Sequence, residues 1–461
     1  KLNLYDRILL RDINHNIHME LEYEIYMYMP INLNDNLLVD YVTECSGNGI
    51  YSFNKRQDFL DFLKRLKTIP IITNEIIMKM KEGMKKKICL PRKTIDKMIE
   101  NITDILKNNS YDNKYKQKPR EWNPTVEKYL VKSLDRLNSF LIEEYYPFTK
   151  DDKLGLSQYK GGKKAYKKLI QYKTFKTITP EMVYNLGYSE LKRLLKEKER
   201  LQKVLKVENI DEEVKKHVFK DKKSILKRLK DIQKEHQTKI YPKYFHGKID
   251  DKDLYDIKSL SIENKHMYAY YDQGDIKNKK KGTFYINTFN PEIINKYELY
   301  VLSLHEGIPG HHLQTLKQKT LKTPFYLKLG DDAYSEGWAL YCENLGDYKD
   351  DYNYYYKLNY EILRSLRLIL DTGIHYYDWG YQKCYNLLKE NLPTYTDKQI
   401  DKAILRYMND PGQAITYKIG EKAFLYVVNT LLMKGYHIKD IHQKILENDT
   451  IPIEFFVDTI K

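Results

Sequence analysis

Three histidines and one glutamate in the stretch VLSLHEGIPGHHLQTL, residues 301–316, have the types and spacing to do chemistry. His305 and Glu306 open the motif of zinc hydrolases, in which a second histidine four positions after the first lies on the same helical face. Here a proline occupies that fourth position, and the next histidines are His311 and His312. The stretch is therefore a broken metal site, a variant metal site or no site.

Helix geometry alone does not bring these histidines together. At 100° per residue, His311 lies about 240° around a straight helix from His305. His312 lies only about 20° around, but roughly 10 Å further along the axis. Pro309 cannot donate its backbone hydrogen bond and its ring clashes with the preceding turn, while Gly310 relaxes the chain. We therefore expect a bulge or kink that returns His311 or His312 toward His305.

A catalytic zinc ion takes three protein ligands and leaves a fourth position for water. The stretch SEGWALYCENL, 335–345, offers Glu336 as the third ligand. We predict a zinc site formed by His305, one of the two downstream histidines and Glu336. Glu306 would be the general base, because zinc lowers the pKa of its water to about 7 and a carboxylate can pass the proton to a leaving amine.

Two further considerations bear on this site. A ligand imidazole needs a partner for its other nitrogen, and we expect Asp331, Asp332 or a backbone carbonyl to supply it. Packing is the competing explanation for the histidines. It fits poorly, because histidine is not a preferred core residue and a Pro-Gly pair costs helix stability.

Helical patterns dominate the elements that must position these residues. QDFLDFLKRL, 57–66, has an apolar face at helical spacing. TPEMVYNLG, 179–187, predicts a helix that begins after Thr179 as N-cap and stops at Gly187. KGTFYINTFNP, 281–291, alternates apolar and polar residues between Gly and Pro and predicts one short strand. The sequence therefore predicts a mainly helical protein.

Composition narrows the classes of protein that fit. The hydrophobic fraction of 42% allows a proper core, and no apolar run is long enough to span a membrane. The net charge of +15 comes from lysines spread among acidic residues, so a nucleic-acid partner is disfavoured. The four cysteines show no pairing pattern, which favours free thiols and an intracellular location. Because the chain begins at Lys1 rather than Met, we expect an N-terminal piece to be missing.

Five separated motifs resemble one known family, the DUF885 proteins, a group placed among gluzincin-like metallopeptidases. The motifs are GTFYINTFNP, YELYVLSLHEGIPGHHLQ, YSEGWALYCENLG, LRLILDTGIHYYDW and DPGQAITYKIG. The resemblance covers nearly the whole chain and is least clear over residues 1–45. It implies one domain over 1–461, a single helical body with a deep cleft, similar to helical oligopeptidases and carboxypeptidases. The short strand would flank the site and pair with substrate backbone.

The family signature carries over onto particular residues. His305 and Glu306 match its His-Glu, residues 309–312 match its Pro-Gly-His-His, and Glu336 matches the Glu of its E-G-W-A-L-Y. The resemblance leaves open whether His311 or His312 binds the metal. By analogy with the second-ligand region of related peptidases, we favour His312.

Other residues are candidates for supporting roles. Tyr417, His375 or Tyr285 would donate a hydrogen bond to the oxyanion of peptide hydrolysis. Tyr285 and Asn287 on the strand, together with Arg367, are predicted to contact the substrate. Arg364 and Arg367 would either clamp a peptide carboxylate or form structural ion pairs. Of these two roles, we favour structural ion pairs.

The sequence therefore predicts a zinc-dependent peptidase that acts on short peptides. The alternative is a metal- or peptide-binding protein of the same fold that does not turn over a substrate. A binder of nucleic acid or of anionic surfaces is the third and weakest hypothesis. The sequence makes no prediction of the oligomeric state.

Overall fold

The structure is a computed structural model, and helices dominate the part of the chain that it describes. The described residues are 2–22, 38–47, 51, 53–112, 115, 118–150, 152–260, 267–274, 280–321 and 330–460. They form one mainly helical body with a single small sheet, which confirms the predicted fold class. The deep cleft and the single domain over 1–461 stay predictions.

The N-terminal half is built from helices. They are α1 (Leu4–Glu22), α2 (Val39–Ser46), α3 (Arg56–Leu66), α4 (Ile69–Lys86), α5 (Arg92–Asn108), α6 (Trp122–Thr125), α7 (Lys132–Phe140), α8 (Gly162–Lys173), α9 (Pro180–Leu205), α10 (Ile210–Val214), α11 (Lys222–Glu235) and α12 (Tyr241–Tyr244). Short π-helical or 3₁₀ segments are Val126–Val131, Leu141–Tyr145, Tyr146–Phe148, Leu156–Gln158, His236–Ile240 and Asp251–Asp253.

The C-terminal half begins with the sheet and returns to helices. Its elements are β1 (Asp256–Ser259), β2 (Ala269–Asp272), β3 (Thr283–Ile286), a 3₁₀ turn (Pro291–Ile293), α13 (Glu298–Glu306), α14 (His311–Gln318), α15 (Asp332–Glu343), α16 (Asp351–His375), α17 (Tyr381–Asn391), α18 (Asp397–Asn409), α19 (Thr416–Met433), α20 (Ile438–Leu446) and α21 (Ile453–Ile460).

The predicted helices are found, with one boundary that is wrong. The apolar face of 57–66 lies inside α3, and the Thr179 side chain caps α9 by accepting from the backbone N–H of Met182 at 3.2 Å. The helix does not stop at Gly187 but runs on to Leu205. A Cβ at Gly187 would lie 2.7 Å from Cγ1 of Ile369 on α16, so this glycine allows two helices to pack closely rather than ending one.

A second close approach of backbones sets the frame of the candidate site. Helix α15 packs along α19, and a Cβ at Gly337 would lie 2.5 Å from the backbone of Gly420. The contact is reinforced by Trp338, which is fully buried and packs on Phe424 of α19 with ring centroids 5.6 Å apart. These contacts fix how closely the two helices approach and how each is rotated about its own axis. A preorganised site requires such a rigid scaffold.

The strand predicted within 281–291 is β3, and it lies in the middle of its sheet. It pairs with β1 in parallel register and with β2 in antiparallel register, giving the order β1-β3-β2. Phe284 and Ile286 face the core, whereas Tyr285 faces away from it and stacks on Tyr270. The expectation that a substrate pairs with this strand is wrong, because both of its edges are already occupied.

Two compositional predictions concern the part of the chain that the structure describes. All four cysteines are free and buried, as predicted. None of the described helices has both the length and the apolar character that crossing a bilayer requires.

Candidate metal centre

A tight turn joins the helix that carries His305 to the helix that carries His311 and His312. Helix α13 ends at Glu306, α14 begins at His311, and the Ile308–Pro309 peptide bond is cis. A Cβ at Gly310 would lie 1.9 Å from the carbonyl oxygen of His305, so only glycine permits this approach. The Pro-Gly interruption thus ends one helix and starts another, where the sequence predicts a bulge or kink.

Helix α15 holds this turn in place through one carbonyl group. The Pro309 oxygen accepts a hydrogen bond from the indole Nε1 of Trp338 at 3.0 Å and from the Cys342 thiol at 3.4 Å. Both donors are fully buried. Each such hydrogen bond contributes about 0.5–1.5 kcal/mol, and their loss would leave the carbonyl unsatisfied in the core. The same helix therefore anchors the turn and presents Glu336.

Three of the predicted ligands meet at one point beside this turn. Nε2 of His305 lies 3.4 Å from Oε2 of Glu336, and Nε2 of His311 lies 3.5 Å from the same oxygen. The ligand atoms of His305, His311 and Glu336 all lie within 4.8 Å of one another. Across the described residues, these three are the one group of this kind.

The donor set and its spacing fit a zinc ion. Two ligand atoms that each lie about 2.0–2.2 Å from a tetrahedral zinc ion are roughly 3.3–3.6 Å apart, which matches the two measured separations. Oε2 of Glu336 is buried and makes no well-formed hydrogen bond, although the two imidazole nitrogens lie 3.4 and 3.5 Å away. A buried carboxylate oxygen without a partner is costly, and a cation between the three groups would satisfy it.

His312, the histidine favoured on analogy, lies in a different environment. Its Nδ1 accepts a hydrogen bond from the Tyr271 hydroxyl at 2.9 Å, and its Nε2 donates to the carbonyl oxygen of Asp253 at 2.9 Å. Burial lowers the pKa of His312 to about 4, so the ring is neutral. Because both nitrogens are engaged, the geometry favours His311 over His312 as the second ligand.

Glu343 is the partner of the other nitrogen of His305. Its Oε1 lies 2.8 Å from Nδ1 of His305 and 3.3 Å from Nη2 of Arg364, and its side chain is almost completely buried. Such a carboxylate orients a ligand imidazole and makes its other nitrogen a stronger ligand for a metal ion. The expectation that Asp331 serves this purpose is wrong, because its side chain caps α15 by accepting from the N–H of Tyr334.

Glu343→Gln is expected to lower zinc affinity by about 10–100-fold, because the amide no longer supplies the charge that strengthens and orients His305. The measurement is a zinc titration against a competing chelator. Asp331→Asn is the matched control, because it makes the same acid-to-amide change at the N-cap of α15, the helix that carries Glu343. An equal loss of affinity in both variants, or none in Glu343→Gln, would contradict the assigned role.

The charges around the cluster favour a cation. Burial opposes a positive charge on His305, but the neighbouring carboxylates of Glu336, Glu343 and Glu306 raise its pKa to about 9. Burial likewise opposes ionisation of Glu336, whereas interaction with the imidazoles of His305 and His311 lowers its pKa well below the ordinary value. The site therefore stabilises a positive charge at its centre, which a proton or a metal ion can supply.

Glu306, the predicted general base, lies at the end of α13 and is partly exposed. Its carboxylate charge helps to raise the pKa of His305, and with burial and Tyr271 it raises the pKa of Tyr255. Glu306 therefore lies beside the cluster, within reach of solvent.

Tyr417 lies on the α19 side of the site. Its hydroxyl accepts a hydrogen bond from Nη2 of Arg406 at 2.9 Å, and the guanidinium of Arg367 packs over its ring at 4.4 Å from the centroid. Burial, followed by the charge of Glu336, raises the pKa of Tyr417. The phenol is therefore protonated and retains a hydrogen to donate.

Two more of the candidates for direct roles, His375 and Asn287, have structural partners. His375 is buried, with Nδ1 accepting from the N–H of Leu156 and Nε2 donating to the carbonyl of Tyr407, and burial lowers its pKa to about 4. Asn287 donates from Nδ2 to the carbonyl of Met267 and shapes the end of β3. Both side chains hold backbone segments together, so their predicted contacts with a substrate have no geometric support.

The fold and the site together define the class of this protein. It is a mainly helical protein that carries a candidate metal centre. The chain belongs to the DUF885 family, described as bacterial proteins of unknown function, and the family model matches residues 4–460. No curated protein matches the chain.

Two solved structures are similar to the chain in fold. A candidate lipoprotein of Colwellia psychrerythraea has a TM-score of 0.78 and 18% identity, over 93% of this chain and 80% of that one. A candidate lipoprotein of unknown function from Shewanella oneidensis has a TM-score of 0.76 and 13% identity, over 100% of this chain and 89% of that one. At such low identities the likeness shows the fold alone.

Proposed function

We propose that this protein is a zinc-dependent hydrolase that cleaves peptide bonds of short peptides. The observation that carries the proposal is the convergence of the ligand atoms of His305, His311 and Glu336 within 4.8 Å of one another. The carboxylate of Glu306 is close enough to this group to raise the pKa of His305. Two histidines and one glutamate are the ligand set of many zinc peptidases. This role also agrees with the metallopeptidase activity that the resemblance of the sequence motifs implies.

In this proposal, His305, His311 and Glu336 hold the metal, and Glu343 orients His305. A bound zinc ion would supply Lewis acidity, lowering the pKa of water and polarising the peptide carbonyl. Glu306 accepts a proton from the attacking water and donates it to the leaving nitrogen, which departs as an amine. Tyr417 donates its hydroxyl hydrogen to the oxygen on which negative charge develops.

Metal removal tests the proposal directly. The purified protein is expected to contain one zinc ion per chain and to hydrolyse members of a short-peptide library. Dialysis against a chelator is expected to abolish hydrolysis, and added zinc is expected to restore it. The measurements are metal content by mass spectrometry and new amines by a ninhydrin-type assay.

The same experiment separates the alternatives. Full hydrolysis in the metal-free protein would contradict a zinc mechanism. One bound zinc per chain with no turnover of any peptide in the library would instead identify a metal-binding protein without catalytic activity.

A further inference from the structure

Two arginines of α16, Arg364 and Arg367, lie one turn apart beside the candidate metal centre. Arg364 is buried, and its Nη2 contacts Glu343, the carboxylate that holds His305. Arg364 therefore has an acidic partner inside the protein. Arg364 and Glu343 form a structural ion pair, which is the role that we favoured for these arginines from the sequence.

Arg367 is different, because it has no such partner. Its Nε and Nη1 atoms are buried without a hydrogen-bond partner. Among the residues that the structure describes, no carboxylate forms an ion pair with it. Burial opposes the charge of Arg367, but the hydroxyls of three neighbouring tyrosines, first Tyr407 and then Tyr417 and Tyr395, raise its pKa. A guanidinium in such surroundings lacks the anion that buried arginines ordinarily bind.

Arg367 is linked to the candidate metal centre through Tyr417. Its guanidinium packs over the ring of Tyr417, 4.4 Å from the centroid. Tyr417 in turn is close enough to Glu336 for the carboxylate to affect its ionisation. The side chain of Arg367 is only partly buried as a whole, so a ligand can approach it. An anion bound there would lie beside Tyr417, the residue that connects Arg367 to Glu336.

We propose that Arg367 binds the C-terminal carboxylate of a short peptide substrate, so that cleavage occurs near the C-terminal end. This inference rests on the proposed function. A carboxylate that approaches the accessible part of the guanidinium supplies the opposite charge that this arginine lacks inside the protein. A chain end suits a guanidinium that is covered on one side by the ring of Tyr417, because an internal residue would have to bring backbone in from both directions. The enzyme is then a carboxyl-end exopeptidase rather than an endopeptidase.

The test uses full-length, zinc-loaded protein carrying Glu306→Gln, which binds peptides without turning them over. Calorimetry compares an N-acetylated tripeptide as its free acid and as its amide. The acid is expected to bind about 10–100-fold more tightly, and Arg367→Gln is expected to abolish that difference. Arg200→Gln is the matched control, because this surface arginine is engaged by Glu197. Equal binding of acid and amide, or a preference that survives Arg367→Gln, would overturn the proposal.

An acidic side chain is the other source of a carboxylate. An amidated tripeptide that ends in glutamate distinguishes it, and we expect this peptide to bind as weakly as the neutral amide. Binding equal to that of the free acid would overturn the assignment to the chain terminus. Arg367→Lys, which retains the charge but not the planar group, is expected to keep part of the preference and serves if Arg367→Gln does not fold.

Hydrolysis of the same peptides by the wild-type protein separates the two proposals. If amides are cleaved as fast as free acids, the assignment of Arg367 fails while the hydrolase stands. If neither is cleaved, the hydrolase fails, and the binding comparison still decides whether Arg367 recognises a carboxylate.

Discussion

Glu306→Gln is expected to reduce peptide hydrolysis by about 10²–10⁴-fold while leaving zinc affinity nearly unchanged. The glutamine is the same size but cannot accept the proton of the attacking water. His305, His311 and Glu336 remain in place, so the metal is still held. The measurement is kcat/KM on a cleavable short peptide, together with a zinc titration of the same preparation.

Glu292→Gln is the control for this variant, because Glu292 is an exposed glutamate shortly before α13. It is expected to hydrolyse peptides at the wild-type rate. Wild-type hydrolysis by Glu306→Gln would show that Glu306 is not the base. A simultaneous loss of zinc and activity would show that Glu306 supports the metal rather than the proton transfer.

His311→Ala is expected to lose zinc, whereas His312→Ala is expected to retain it. Removal of a direct ligand should cost more than the about 10–100-fold in affinity that loss of an outer hydrogen bond costs. His312→Ala instead leaves the Tyr271 hydroxyl and the Asp253 carbonyl without their partner. Each such loss costs about 1–3 kcal/mol, so the free energy of unfolding should fall.

A chelator-competition titration and a denaturant unfolding curve on both variants measure these effects. The two variants control for each other, because each removes one imidazole from the same turn of α14. Loss of zinc by His312→Ala with retention by His311→Ala would contradict the assignment of ligands.

Sequence reasoning could identify the residues of the candidate metal centre but could not choose between the two histidines. The choice depends on the direction in which α14 leaves the turn. That direction is set by the contact of Gly310 with the His305 carbonyl and by the hydrogen bonds from Trp338 and Cys342 to Pro309. The two hydrogen bonds to Pro309 join segments that are distant in the sequence, and no local pattern encodes them.

Glu343 could have been found from the sequence, whereas the role of β3 could not. Glu343 follows Glu336 by seven positions, which places both on one face of a helix. The edges of β3, by contrast, are covered by β1 and β2, and whether a strand is central depends on where its neighbours lie. Gly187 was misleading for a similar reason, because the close packing of Ile369 is a tertiary contact.

Zinc-edge anomalous diffraction from crystals of the zinc-loaded protein tests the central claim most directly. We predict one strong peak about 2.0–2.2 Å from Nε2 of His305, Nε2 of His311 and a carboxylate oxygen of Glu336. His312 should remain hydrogen-bonded to Tyr271. Absence of a peak among the three side chains in fully loaded crystals, or a peak coordinated elsewhere, would contradict the account.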